Sequence, residues 1–138
     1  ESGKAEFTTP TVLNASAVQD AAGVYTLVTL RSQDQFNTTI YGHSDRLRGI
    51  KGSRMIVLMR RDDIVEAGLT PGQSVTLVTQ NGDGISREVS ELILMPYDLP
   101  KGCIAGYFPE LNPLMPLSRH EELSKTPAAK CIPVSIRA

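Results

Sequence analysis

No apolar run in this chain is long enough to cross a bilayer and no secretory signal opens it, so the expected compartment is the cytoplasm. There is no basic excess either. The formal net charge is -1, which excludes a general nucleic-acid binder. Cysteine is scarce: Cys103 and Cys131 lie far apart, outside any CxxC or Cys/His pattern. That pattern argues against a structural metal site, and both thiols are expected free and buried in a reducing compartment. The two histidines, His43 and His120, have no triad partners legible around them, and the glycines fit neither GxGxxG nor a Walker A loop. No catalytic residue can be named, and none is expected to ligate metal.

What the chain does have is an ordinary globular composition, with 41% hydrophobic and 21% charged residues in 138. That length fits one domain with a respectable core. The opening ESGKAEFTTP lacks an initiator Met and reads as a piece cut from a larger protein. Residues 1–22 are read as a lead-in from a missing N-terminal region, and 23–138 as the domain proper.

Short apolar runs recur at 23–30, 55–59, 75–79, 87–95, 103–108 and 131–136, each bounded by turn residues. Asn81-Gly82-Asp83-Gly84 marks a hairpin. A short helix is expected over 62–67, with Asp62 and Asp63 at its positive end and Gly68 stopping it. Six short strands with one or two small helices, and no repeats, predict a mainly β barrel rather than a βαβ layer fold.

The richest local signal is RSQDQFNTTIYG at 31–42, a polar loop launched from the first strand. Arginine offers a planar fork of donors, while the amides and hydroxyls supply both donors and acceptors. Between Arg31 and Arg54 stand five basic residues (Arg31, Arg46, Arg48, Lys51, Arg54) against Asp34 and Asp45, a local balance of +3. Hydroxyls beside clustered positive charge point to a compact anion such as a pyrophosphate. The plainer alternative is a solvated connection with a turn at Asn37.

Three blocks in order carry a family resemblance: TLRSQDQFNTTIYG, then IVLMRRDDIVEAGLTPGQSVTLVTQNGDG, then FPELNPLMPL with SKTPAAKCIPVSI. Together they resemble the C-terminal molybdopterin-dinucleotide-binding domain of molybdenum and tungsten oxidoreductases, closest to formate-dehydrogenase-like alpha subunits. The resemblance covers about 23–136 and implies a double-psi β-barrel. It implies that the barrel covers one side of a bis-molybdopterin guanine dinucleotide cofactor. Metal chemistry, and any iron–sulfur cluster, would belong to the remaining N-terminal domains of the parent enzyme. On the residues, the resemblance places Arg31 near the cofactor's phosphates or guanine. Ser32, Gln35, Asn37, Thr38 and Thr39 fall in the same cofactor-facing loop, Asn112 at a pterin edge, and Lys130 at the lysine closing S-K-T-P-x-x-K. Where relatives carry histidine in the loop this chain has Gln33 and Gln35, and Ala128-Ala129 stand where many relatives have an acidic or aromatic pair. The segment alone is expected neither to catalyse nor to retain cofactor, because half of a shared pocket lacks the other half's contacts. The competing reading is a stand-alone barrel of the same class that recognises protein without cofactor.

Overall fold

The computed structural model describes residues 3–5, 21–36 and 42–138. Six strands are present: β1 (Tyr25–Leu30), β2 (Ile56–Met59), β3 (Ser74–Thr79), β4 (Glu88–Pro96), β5 (Cys103–Tyr107) and β6 (Ile132–Arg137). One α-helix, α1 (Arg61–Glu66), and two single 3-10 turns at Arg46–Arg48 and Asn112–Leu114 complete the regular structure among the described residues. The strands close into a barrel in the order β1-β5-β2-β4-β3-β6. Closure leaves no exposed edge to recruit another chain. The pairings β1/β5 and β2/β4 are parallel and the other four antiparallel. This is the expected mainly β barrel with short helices.

Side-chain alternation explains how the barrel fills. Val57 and Met59 of β2 point into the main core with Leu27, Leu77, Leu94, Ile104 and Val134, while Ile56 and Leu58 point outward. The outer pair packs in a second cluster with Ile50, Ala105 and Tyr107. β2 is therefore buried on both faces, which is why it reads as an unbroken apolar run. β4 alternates less cleanly because it carries a bulge. Val75 pairs with Leu92 and Leu77 with Val89, so β4 has one residue more than β3 there, and Glu91 takes φ 60°.

Strand directions fix where function can gather. β1, β3 and β5 run one way and β2, β4 and β6 the other. The C-terminal ends of β1 and β5 therefore share one end of the barrel with the segments leading into β2 and β6. Residues 31–36, Arg54, 108–115 and 126–131 meet there, although they span most of the sequence.

Both cysteines are free, as expected, but half-buried rather than buried. Cys103 begins β5 and Cys131 immediately precedes β6, and strand ends lie at the rim of the core.

Candidate functional site

At that end lies a cavity of about 490 Å³, lined by Thr29, Leu30, Arg31, Phe108, Asn112, Met115, Thr126, Pro127, Ala129 and Lys130. It unites three of the residues singled out in the sequence, Arg31, Asn112 and Lys130. Arg31 follows β1 directly, and its guanidinium lies over the Phe108 ring at 5.1 Å. Such stacking fixes the plane of the fork without consuming its donors. The Lys130 ammonium donates to the Thr29 carbonyl oxygen. Burial, and then the neighbouring Arg31 charge, hold its pKa below the ordinary lysine value. Two cations therefore repel each other across one cavity, and no carboxylate is among its lining residues.

Asn112 opens the second 3-10 turn, and its buried Oδ1 has no hydrogen-bond partner among the described residues. An unmet buried amide oxygen costs free energy that a ligand donor would recover. The turn is clamped from both sides: Thr79 Oγ1 donates to the Leu114 carbonyl at 2.6 Å, and Leu111 N–H donates to Tyr107 O at 3.0 Å. On the opposite wall, Thr29 Oγ1 donates to Ala129 O at 3.0 Å, stitching the 126–131 segment to β1.

Ser32 and Gln35 are placed differently. Both are buried, and both face a network centred on Arg54 rather than the cavity. Arg54 donates to Ser32 Oγ at 2.7 Å, to the Phe108 carbonyl oxygen and, through Nη2, to Glu110 at 3.1 Å, and its Nε lies 2.9 Å from the same carboxylate in an ion pair. Its guanidinium also lies 4.7 Å from the Tyr107 ring centroid. Gln35 Nε2 donates to the same Phe108 carbonyl at 3.0 Å. These side chains hold the 31–36 turn against Phe108, and so aim Arg31. Asn37, Thr38 and Thr39 lie outside the described residues.

The basic cluster read from 31–54 does not converge on one anion. Arg31 alone of the five lines the cavity. Arg54 is buried against Glu110, Arg48 pairs with Asp45, and Arg46 donates to Gln33 at 3.3 Å. Asp45 is fully buried, caps the first 3-10 turn through Leu47 N–H, and accepts Tyr107 Oη at 2.9 Å. Burial pushes the Asp45 carboxyl up, but the hydrogen bonds from Arg48 and Tyr107 outweigh it and hold its pKa below the ordinary value. Burial and the same Asp45 bond push the Tyr107 phenol up to about 12.

Arg54, Glu110, Thr29 and Phe108 are residues whose roles at the site the sequence did not announce. Phe108 had a signal, since it opens FPELNPL; a buried arginine whose partners lie 22 to 56 residues away had none. Among the described residues, no group of three or more His, Cys, Asp or Glu side chains is arranged to hold a metal ion.

Fold and site together define a closed β-barrel domain with a cationic cavity at one end and no carboxylate among the described residues that line it. Its relatives are much longer proteins. The chain is 44% identical over 118 residues to the uncharacterized oxidoreductase Rv2900c of Mycobacterium tuberculosis, a match covering 83% of this chain and 15% of that protein. It is 36% identical over 137 residues to the protein YdeP of Escherichia coli K12, covering 98% of this chain and 18% of YdeP. The chain is thus homologous to a portion of large proteins, among them ones named as oxidoreductases, and spans less than a fifth of their length. No family model matches it.

Proposed function

We propose that this barrel is the cofactor-clamping domain of a longer molybdopterin-dependent oxidoreductase of the formate-dehydrogenase-like kind, acting in the cytoplasm. The observation that carries the reading is the meeting of Arg31, Asn112 and Lys130 in one cavity with no carboxylate among its described lining residues. The residues suit a guanine dinucleotide. Arg31 can grip phosphate oxygens bidentately, Lys130 adds a point charge, and the unmet Asn112 amide can read a heterocycle edge. A volume of about 490 Å³ lies within the usual range for a ligand site. It holds a phosphate-bearing part of so large a cofactor, leaving the remainder to the other domains. When bound, the cofactor would supply the molybdenum or tungsten centre and the electron path. The barrel's own work is to bind, to orient and to exclude water.

Exposed apolar side chains support a covering partner at this end. Leu117 and Leu123 are 97% and 91% exposed, and Phe36, at the end of the 31–36 turn, is 79% exposed. Such exposed apolar side chains suit a surface that another body covers, here the remaining domains of the same polypeptide. The test is cofactor content of the longer polypeptide carrying Arg31→Ala with Lys130→Ala. Losing two charge-assisted contacts should weaken dinucleotide retention by roughly tenfold or more. Retention equal to wild type would reject the clamp.

A further inference from the structure

A second cavity, of about 400 Å³, adjoins the first and is lined by Asn112, Met115, Pro116, Leu117, Arg119, His120, Lys125 and Pro127. The two share Asn112, Met115 and Pro127, so they adjoin as the two ends of one trough. Arg119, His120 and Lys125 are absent from the first cavity, and nothing in the cofactor reading employs them. Again no carboxylate is among the lining residues, in a chain whose overall charge is -1. The neighbouring Glu121 is already engaged, accepting the N–H groups of Leu123 at 2.9 Å and Ser124 at 2.7 Å.

The donors at this end are held but not exhausted. Arg119 Nη2 donates to the Cys131 carbonyl at 2.6 Å, which orients the guanidinium and leaves its other N–H groups available. His120 Nδ1 lies 3.1 Å from the Glu121 carbonyl oxygen. A carbonyl only accepts, so Nδ1 carries the hydrogen, and Nε2 of the neutral ring is left to accept a hydrogen bond from a phosphoryl hydroxyl. The Lys125 ammonium makes no hydrogen bond or ion pair with a described residue. Backbone bonds fix the hairpin that carries these groups: Ala128 N–H to Arg119 O at 3.0 Å, and Glu121 N–H to Thr126 O at 2.8 Å.

We propose that the cavity bearing Arg119, His120 and Lys125 is a second oxyanion subsite, which takes a phosphoryl group separate from any bound between Arg31 and Lys130. Met115, Pro116 and Leu117 supply the apolar wall on which the carrier of that group rests.

The experiment follows backbone amide NMR signals of the 138-residue chain during titration with inorganic phosphate. Signals at 115–127 should move. Lys125→Gln should weaken that response about fivefold while leaving the response at 29–31 within about twofold. Arg31→Ala with Lys130→Ala should do the reverse. Guanosine diphosphate as a second probe identifies the source of the group. Both regions moving with one dissociation constant means that a single ligand spans the trough, and two constants mean two separate phosphoryl groups; either result supports the subsite. Silence at 115–127 in the unaltered chain overturns the proposal, even where 29–31 responds. So does a response there that Lys125→Gln leaves unchanged. A response at 115–127 with silence at 29–31 supports the subsite and counts against the Arg31–Lys130 phosphate clamp instead.

Discussion

Arg54 shows how a single side chain can organise a site it does not enter. It is 2% exposed, and its planar fork reaches Ser32, Phe108 and Glu110 at once. Removing one partner of a buried ion pair strands the other, so Arg54→Ala should destabilise the chain by about 3–5 kcal/mol in chemical denaturation. Arg54→Lys should recover little of this, because an ammonium lacks the fork. An Arg54→Lys variant as stable as wild type would show that the network is dispensable. Asp45 gives a pH signature. Its folded pKa lies below the ordinary 3.8, so the stability it contributes is present above that value and is lost as pH falls through the folded pKa. Tyr107→Phe removes one of the bonds that lower it, and should shift acid unfolding to higher pH. An unshifted acid transition would contradict the assignment. Lys130 runs the other way. Its pKa is lowered by burial and then by Arg31, so Arg31→Ala should raise it in an NMR titration of the lysine side chain.

The elements around the cavity are set by small steric facts. Gly106 of β5 has no room for a side chain: a Cβ there would meet Leu111 Cδ1 at 2.3 Å and Ile56 O at 3.0 Å. Leu111 packs onto that glycine, and Asn112 is the next residue. Gly106→Ala should therefore cost about 1–3 kcal/mol by overpacking. Adding Leu111→Ala should cost less than it does in the unaltered chain, which a double-mutant cycle reads as coupling. Additive costs would refute the packing argument. Most strands were legible in the sequence because their inward faces are apolar, and the Asn81–Gly84 turn marked the β3–β4 hairpin. Asp63 was legible as a helix-start residue, but not as the acceptor of Gly102 N–H at 2.8 Å, which ties α1 to the turn before β5. That contact spans 39 residues, and local pattern carries no trace of it.

For the molecule as a whole, barrel closure brings the site together. The parallel β1/β5 pairing sets Leu30 beside Tyr107, so Arg31 and Phe108 leave the barrel side by side. Short-range signals fix strands and turns, whereas which strands become neighbours depends on burial across the whole chain. This is why Arg31, Asn112 and Lys130 could be named from a resemblance and their convergence could not be derived from spacing. It is also why the +3 balance of 31–54 misled: those charges are adjacent in sequence, but the barrel sends four of the five to other partners or to solvent. The charges that do converge come from opposite ends of the chain.

The most direct test of the central claim is the composition of the longer polypeptide itself. Purified intact, it should contain molybdenum or tungsten together with guanine nucleotide released on acid hydrolysis. A polypeptide that folds and purifies with neither would contradict the account, and would leave the barrel as a module whose cationic cavity serves a different anion.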